Sequence, residues 1–446
     1  MPNRLLKWIS LICISGSLLF AQEEDLFPIR IDGVIVAGNE KTREEVILRE
    51  IPFQFPDSLE MADLELIQNR ITNLFLFHRV ELAILPDGAR NFLLIQVTEM
   101  LYIYPVPLLF INERDWDKVS YGFQVTHVNF RGMHERASIG GWLGFNPSFF
   151  LDYYNPWVGK QSRFILGFNA FGKRVGNKFY DFDERHFGGS VTIGKRLGFF
   201  NRLELALSLR RIGDLPQSLS VSGKDYDLVP KATLQYRNDH RDLIEYPRSG
   251  YYIRWVATRA GISEDQPNFW SFMFDHRLYF KLSERWSIGG KNLLKLNSED
   301  LPIYDRHFIG YGDRIRGHFN RVMTGQNLMM HHLETRFTLL PVRYLSWGDA
   351  PPSLAAFFQQ LKYGLSIGLF MDSGVVWGTQ TYRGPGSDAD IFSPDGLNKP
   401  LSLNAHYTGY GLGLHIHLPY INIFRIDHAW DENGRGEWIL EAGVVF

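Results

Sequence analysis

The chain has 446 residues and a formal net charge of −2 at pH 7, so its composition gives no indication of a nucleic-acid partner. Aromatic residues make up 15% of the chain, with 34 Phe, 20 Tyr and 11 Trp, a proportion typical of proteins whose rings lie at membrane–water interfaces. No run of about 18 apolar residues follows the N-terminus, so we do not expect helical membrane spans.

The N-terminus has the pattern of an export signal. Arg4 and Lys7 form a basic start, residues 8–20 form an apolar core, and Ala21 offers a small residue for cleavage. We therefore predict a signal peptide over residues 1–21, followed by a short linker over 22–28. The single cysteine, Cys13, lies inside the apolar core. The lipoprotein alternative is disfavoured, because Ile12 precedes Cys13 where a small residue is expected. A mature chain without cysteine has neither a disulfide framework nor a thiol nucleophile.

Residues 29–100 have the pattern of a small α+β domain. Apolar residues alternate in "IRIDGVIVAGN" and the alternation ends at the turn signal Gly38-Asn39. "TREEVILRE" places Thr42 as a helix N-cap with Glu45 three residues later, and a second helix is expected from about Leu59 to Asn73. Two strands, "HRVELAIL" and "NFLLIQVTE", follow. The predicted order is β-α-α-β-β.

This stretch resembles a POTRA domain, the periplasmic module of outer-membrane assembly and secretion proteins. The resemblance lies in "VAGNEKT", in "LFLFHRVEL" with Phe77 and Val80, and in "VTE", which ends at Glu99. It implies a sheet edge that accepts client polypeptides through main-chain hydrogen bonds. An unrelated α+β domain is the alternative.

From residue 101 to residue 446 the dominant pattern is repeated alternation in segments separated by turns. In "YGLSIGLFMDSG", Leu365, Ile367 and Leu369 share one face, and glycines with Asp372 share the other. The last segment, "EWILEAGVVF", aligns Trp438, Leu440, Ala442, Val444 and the terminal Phe446 on one face. Lipid-facing residues alternate with lumen residues in the strands of a membrane barrel, and closure of the sheet pairs every backbone group. We predict a transmembrane β-barrel of about 16 antiparallel strands, with a water-soluble sandwich as the alternative.

Several motifs of this region are similar to those of the BamA/TamA superfamily. "GYGDRIRGH" matches its aliphatic-Arg-Gly-aromatic loop motif at Ile315, Arg316 and Gly317, with His318 where Phe or Tyr is usual. "FMDSG" matches a strand motif at Phe370, Asp372 and Gly374. "FRIDHAW", with Arg425 and Asp427, resembles the penultimate strand, and Trp438 and Phe446 fit the C-terminal signal of outer-membrane barrels.

The resemblance implies that a loop, here about residues 300–326, folds into the barrel and that its arginine pairs with acidic residues of the wall. The alternation supports this independently, because it places Asp372 and Glu334 on the inner face. We therefore expect Arg316 to be held by Asp372 and Glu334, since a planar guanidinium makes bidentate bonds to carboxylates. A solvent-exposed loop arginine is the alternative.

The sequence predicts no enzyme, no cofactor and no metal site. It has no Gly-rich phosphate loop, HExxH helix or G-x-S-x-G elbow. His415 and His417 share a strand face, but ordinary polar lining accounts for them. A Ser/His pair of an outer-membrane lipid hydrolase remains an alternative, although it would not explain an N-terminal domain.

The resemblance implies an outer-membrane protein with its N-terminal domain in the periplasm. Its partners would be unfolded client proteins, membrane lipid and possible accessory lipoproteins. We expect an assembly or insertion factor for outer-membrane proteins. A secretion transporter for a specific partner, or a passive barrel such as a porin, is the alternative. Pro105 and Pro107 lie in the first strand, and because proline has no N–H to donate, we expect a weak seam between the first and last strands.

Overall fold

The computed structural model describes residues 27–112, 116–159, 162–177, 180–310, 312–318, 322–346, 358–378, 406–420, 422–443 and 446. The predicted signal peptide and most of the linker lie outside these residues. The chain divides into two compact units at the bond between Met100 and Leu101. Among the described residues, no helix is both long and apolar enough to cross a membrane.

Among its described residues, 27–100, the N-terminal unit contains two helices and two small sheets. Its elements are β1 (Ile29–Ile31), β2 (Gly33–Ala37), α1 (Glu44–Leu48), β3 (Asp57–Leu59), α2 (Met61–Thr72), β4 (Phe77–Asp87) and β5 (Arg90–Glu99). β5 lies between β2, which is parallel to it, and β4, which is antiparallel. The apolar faces of the helices and strands meet in a core that includes Ile47, Ile67, Ile71, Leu93 and Ile95.

Two local expectations for this unit need correction. The first predicted strand is split, and its first part, β1, pairs with the unforeseen strand β3 rather than with the three-stranded sheet. Thr42 is not the N-cap of α1, because the helix begins at Glu44 with Arg43 in the cap position. The backbone N–H of Thr42 instead donates to the Glu99 carboxylate, at 2.7 Å. A partner distant in sequence therefore replaced the local cap.

The second unit is built on one antiparallel sheet of sixteen strands among the described residues. Its first eight strands are β6 (Ile103–Ile111), β7 (Val119–Phe130), β8 (Glu135–Gly144), β9 (Ser148–Val158), β10 (Phe164–Gly176), β11 (Asp183–Leu197), β12 (Asn201–Gly213) and β13 (Tyr226–Asp239). The next three are β14 (Gly250–Ala260), β15 (Phe269–Lys281) and β16 (Trp286–Asn297). After an inserted segment the sheet continues with β19 (Asn327–Leu345), β20 (Leu361–Trp377), β21 (Tyr407–Leu418), β22 (Asn422–Asp431) and β23 (Gly436–Ala442).

Alternation along each strand decides which face meets lipid. In β12, Leu203, Leu205, Leu207 and Leu209 are all substantially exposed, Leu207 at 58%. The residues between them, Glu204, Ala206 and Ser208, lie on the other face and are less exposed. An exposed apolar face of this extent is compatible with lipid but not with water. The predicted fold class, a transmembrane β-barrel of about sixteen antiparallel strands, is confirmed.

The sheet has two ends, β6 and β23. Each strand pairs with its neighbour along the sheet, from β6 at one end to β23 at the other. Within the part of the chain that the structure describes, no backbone pairing joins β6 to β23. Pro105 and Pro107 both lie in β6, where they face Val125 and Phe123 of β7.

Candidate functional site

The described residues of the segment between β16 and β19 (298–310, 312–318 and 322–326) lie against the inner wall of the sheet. This segment contains a short 3-10 helix (Ile303–Asp305) and the hairpin strands β17 (His307–Ile309) and β18 (Met323–Gly325). Its apolar residues Ile309, Ile315 and Met323 are at most 1% exposed. They pack with wall residues of β16, β19 and β20, namely Leu293, Leu328, Met330 and Val376. Burial of these side chains holds the segment inside, whereas most connections run over a protein surface.

Arg316 lies at the centre of the contact between this loop and the wall. Its Nε donates to Asp372 Oδ2 at 2.7 Å and its Nη2 donates to Asp372 Oδ1 at 2.8 Å. Its Nη1 donates to Glu334 Oε2 at 2.7 Å. The guanidinium therefore makes a two-pronged bond to one carboxylate and a third bond to another, a geometry that lysine cannot reproduce.

The surroundings of Arg316 are fully buried. Its side chain is 3% exposed, and those of Asp372 and Glu334 are 0% and 2% exposed. The guanidinium carbon lies 3.5 Å from the ring centroid of Phe370, a cation–π contact strengthened by the lack of water. Burial opposes the charge on Arg316, but Asp372 and Glu334 outweigh it and raise the pKa of the guanidinium above its ordinary value. Removal of any one of these three charged side chains would leave a buried charge without its partner and would therefore destabilise the barrel.

The main chain of the loop also contacts the wall directly. Gly317 has a φ of +96°, in the left-handed region that favours glycine. Its N–H donates to Glu437 Oε1 at 2.9 Å, and a Cβ built on it would lie 2.7 Å from the carbonyl oxygen of Trp430. The glycine that follows Arg316 therefore lets the loop turn while touching β22.

The strand-motif residues lie in the same network. Arg425 Nη1 donates to Asp427 Oδ2 at 2.8 Å, and Asp427 Oδ2 is 3.6 Å from Arg316 Nη1. A Cβ built on Gly374 would lie 2.9 Å from Cδ1 of Ile315, so this glycine makes room for the loop. The structure thus brings together Arg316, Gly317, Glu334, Phe370, Asp372, Gly374, Arg425 and Asp427.

The last strand supplies contacts that sequence reasoning missed. Glu441 accepts from Arg314 Nη1 at 2.6 Å through Oε1 and from Arg425 Nη2 at 2.6 Å through Oε2. Glu441 thereby joins the loop to β22 and β23. Glu441 directly follows Leu440, which faces lipid. Alternation along the strand would therefore have been enough to place the Glu441 carboxylate on the inner face.

A second buried arginine extends the network on the wall. Arg336 Nε donates to Glu334 Oε1 at 2.6 Å, so Glu334 bridges Arg316 and Arg336. The guanidinium of Arg336 also lies 4.6 Å from the ring centroid of Tyr246. Arg336 was overlooked although it lies two residues from Glu334 and hence on the same strand face.

The two C-terminal signal residues lie on opposite sides of the wall. Trp438 is 67% exposed on the lipid face. Phe446 was expected on that face too, and this expectation is wrong, because Phe446 is 1% exposed and packs inside with Tyr279 and His332. The alternation stops because β23 ends at Ala442 and Gly443 takes a φ of +104°. Val444 lies outside the described residues.

His318 occupies the position where the loop motif usually has Phe or Tyr. Its imidazole both packs against an aromatic ring and makes polar contacts. Its ring lies edge-to-face with Tyr407, at 5.3 Å between centroids. Its Nε2 lies 2.6 Å from Glu432 Oε2 and 3.2 Å from the carbonyl oxygen of Thr408. The histidine therefore packs against Tyr407 as an aromatic residue would. In addition it makes polar contacts with Thr408 of β21 and with Glu432, which follows β22.

His318 also lies in the one group of possible metal ligands found among the described residues. Ligand atoms of His318, Asp431 and Glu432 lie within 4.8 Å of one another. However, Asp431 Oδ1 already accepts from the backbone N–H groups of Asn433 and Arg435, at 2.9 and 2.8 Å. We interpret the group as a hydrogen-bonded turn that receives the loop tip rather than as a metal site.

The sheet has a lipid-facing wall, and a buried arginine–carboxylate cluster holds an inserted loop on its inner face. These features define the class of protein as a membrane-spanning antiparallel β-barrel with a loop folded into its lumen. Residues 129–439 match the family model of the Omp85 superfamily domain. The chain therefore belongs to the Omp85 superfamily, which includes the BamA/TamA-like proteins whose motifs its sequence carries.

Individual relatives agree with this assignment. The chain is 22% identical over 305 residues to the outer membrane protein assembly factor BamA of Nitratidesulfovibrio vulgaris, an alignment that covers 66% of this chain. It spans 38% of the length of that relative.

Two solved structures share the fold. BamA from Haemophilus ducreyi lacking POTRA domains 1–3 has a TM-score of 0.52 at 16% identity, covering 93% of this chain and 83% of that one. CdiB from Escherichia coli has a TM-score of 0.54 at 11% identity, covering 93% and 74%.

Proposed function

We propose that this protein assembles outer-membrane proteins: it receives exported chains at its N-terminal domain and helps them insert into the outer membrane. The N-terminal domain would lie in the periplasm, where clients and any accessory lipoproteins are accessible. Similarity to an outer membrane protein assembly factor supports this proposal. The role requires no catalytic residue, because the free energy comes from burial of client strands in lipid.

The observation that carries the proposal is the pair of sheet ends, β6 and β23. A barrel strand in lipid needs partners for its main-chain N–H and C=O groups. Within the described residues the two ends are not paired with each other, and Pro105 and Pro107 deprive β6 of two donors. An incoming strand can pair with such an end by augmentation of the sheet.

The N-terminal domain offers a second edge. β2 pairs with β5 on one side only, and Ile35 in β2 is 42% exposed. Exposed edges accept extended chains through main-chain hydrogen bonds with little demand on sequence.

The test reconstitutes the full mature chain in liposomes and adds a urea-unfolded outer-membrane barrel as client. Insertion is measured by the client's heat-modifiable gel migration and by its protection from protease. A panel of cysteine pairs, with one cysteine in β6 and one in β23, is then screened for a pair whose disulfide fixes the two ends together. The mature chain has no other cysteine, since Cys13 lies in the predicted signal peptide.

We expect the protein with reduced cysteines to accelerate client insertion. Oxidation of the cysteine pair to the disulfide should lower the rate of insertion at least tenfold. A matched control places cysteines at Leu412 and His428, which already face each other in β21 and β22, and its oxidation should leave the rate unchanged. Translocation of a client into the liposome lumen, rather than its insertion, would identify a secretion transporter and refute the proposal.

A further inference from the structure

One row of residues on the lipid face alternates between phenylalanine and glycine across five adjacent strands. The strand registers place these residues directly opposite one another in turn, from β7 to β11. The row runs Phe123, Gly141, Phe149, Gly172, Phe187. All three phenylalanines are exposed, at 51%, 57% and 45%.

The two glycines in this row have different surroundings. A Cβ built on Gly172 would lie 2.4 Å from Cε1 of Phe149 and 2.9 Å from Cδ1 of Phe187, so the two rings cover this glycine. Around Gly141 the nearest atoms are the carbonyl oxygen of Ser148 and the Cα and Cβ of Phe149. The glycines therefore form the floor of a depression with ring walls.

This depression is an outward-facing groove of about 560 Å³. Its apolar walls include Tyr121, Phe123, Leu143 and Phe149. Because the surface is one that lipid covers, the occupant of an apolar groove here is an acyl chain. A groove binds a chain more tightly than a flat wall does, because more of the chain's surface is in contact with protein.

Two arginines lie at one end of the groove. Arg174 of β10 and Arg185 of β11 are directly opposite each other in the strand pairing, and both line the groove. Their side chains are 57% and 52% exposed. Residues in directly opposite positions of a strand pair lie close together, so the two guanidinium groups can contact the same anion.

Each arginine is steadied by one carboxylate. Arg174 contacts Asp183 Oδ2 through both Nε, at 2.9 Å, and Nη2, at 2.7 Å, and Arg185 Nη2 lies 2.8 Å from Asp214 Oδ2. A guanidinium has five N–H donors, so these pairs leave donors for a further anion. Phosphate suits paired guanidinium groups because it accepts several charge-assisted hydrogen bonds.

The topology indicates which leaflet the arginines face. They lie at the same end of the sheet as the connection 214–225 and the described part of the inserted segment 298–326. The opposite end carries the connections 131–134, 198–200 and 240–249, each shorter than 214–225, and the start of β6. In outer-membrane barrels the long loops are extracellular and the short turns periplasmic. The groove therefore opens to the outer leaflet, whose characteristic phosphate-bearing lipid is the lipid A of lipopolysaccharide.

We propose that this groove binds one lipid A molecule, with an acyl chain between Phe123 and Phe149 and a phosphate at Arg174 and Arg185. The site lies on the outer wall of β7–β11, beside the end strand β6 and separate from the loop cluster. It does not depend on whether the protein assembles or secretes its clients.

The test is native mass spectrometry of the full mature protein in detergent, titrated with hexa-acylated lipid A. We expect one molecule bound per chain, and at least a tenfold weaker affinity for Arg174→Gln/Arg185→Gln. The unmodified protein should bind lipid A that lacks its phosphates more weakly, and to the same extent. The matched control, Arg163→Gln/Lys195→Gln, removes two cations at the opposite end of the same strands and should bind as the unmodified protein does.

A second variant tests the apolar part of the groove. It also keeps the proposal testable if the double arginine variant does not fold. Leu143→Trp fills the groove while both arginines remain, and it should also weaken binding about tenfold. Heat-modifiable migration on gels verifies that each variant is folded. Equal binding of phosphatidylglycerol or of dephosphorylated lipid A, equal weakening by the control, or absence of one-to-one binding would each overturn the proposal.

Discussion

The carbonyl oxygen of Arg316 lies directly over Gly409 of β21, so closely that a Cβ built on Gly409 would be 1.5 Å from it. The loop backbone therefore touches the wall backbone at the position where the guanidinium is held. Side-chain pairing of Arg316 with Asp372 and main-chain contact with β21 fix the loop from two sides.

Substitution Gly409→Ala should displace the loop. A methyl group cannot occupy a position 1.5 Å from a backbone oxygen, so either the loop or β21 has to move, at a cost of roughly 2–4 kcal/mol in the free energy of unfolding. Urea unfolding of the barrel in micelles measures the change. Gly290→Ala is the control, because its Cβ would lie at an ordinary 3.5 Å from the nearest atom and should cost less than about 1 kcal/mol.

Substitution Arg316→Lys should destabilise the barrel even though the charge remains. Lysine cannot make the two-pronged bond to Asp372 and the bond to Glu334 together, so we expect a loss of about 1.5–3 kcal/mol. The temperature at which heat-modifiable migration is lost reports the effect. Arg314→Lys, whose side chain is 36% exposed, should lower that temperature much less. Equal stability of Arg316→Lys and the unmodified protein would show that the loop is not held by this side chain.

Substitution Asp305→Asn should loosen the first part of the loop. Asp305 pairs with Arg210 and with Lys231 Nζ, so the change leaves two wall cations without their carboxylate. Burial opposes the charge on Asp305, but Arg210 and Lys231 outweigh it and lower its pKa. The stabilisation is therefore full above the ordinary carboxyl pKa and is lost as the pH falls through the lowered value.

Limited proteolysis of segment 298–326 at neutral pH measures this effect, and we expect roughly tenfold faster cleavage in Asp305→Asn. Asp300→Asn, at an exposed position of the same segment, should be cleaved at the unmodified rate. If both variants behave alike, the contact of Asp305 with the wall does not hold the loop.

The loop should also loosen below neutral pH because of His307. Burial lowers the pKa of this histidine from 6.5 to about 4, and its Nε2 lies 3.0 Å from Asn297 Nδ2, a donor that requires an unprotonated ring nitrogen. Between those values the opened loop binds a proton that the closed loop excludes. Stability is therefore full above pH 6.5 and falls as the pH drops toward 4.

Hydrogen exchange of residues 298–310 between pH 7.5 and pH 4.5, corrected for the intrinsic pH dependence of exchange, measures this loosening. His307→Gln cannot titrate and should show a smaller change across the same interval. An identical pH profile for both proteins would exclude His307 as the cause.

Local patterns were sufficient for the lipid-facing wall and for the acidic partners of the loop. Alternation in "YGLSIGLFMDSG" placed Asp372 and Phe370 on the inner face, where the structure has them buried. The same rule placed Glu334 inward between Leu333 and Thr335. These inferences succeed because the side-chain period of a strand is two, so that one face determines the other.

The contacts of the loop with β21, β22 and β23 had no comparable signal. Nothing in the sequence relates Gly409 to Arg316 or Glu441 to Arg314, since these pairs are distant in the chain and depend on where the loop comes to rest. Thr42 and Phe446 illustrate the same limit: a distant carboxylate replaced one helix cap, and a glycine at positive φ ended one alternation.

The sequence by itself therefore determined the type of wall, the approximate number of strands and the charges that face the lumen, because each of these follows from residues within one strand. Only the tertiary structure decided which distant backbones touch, where the last residue lies and which outward side chains combine into a groove. Those features depend on the register between strands and on the path of one inserted segment, and both are fixed by packing over the whole sheet.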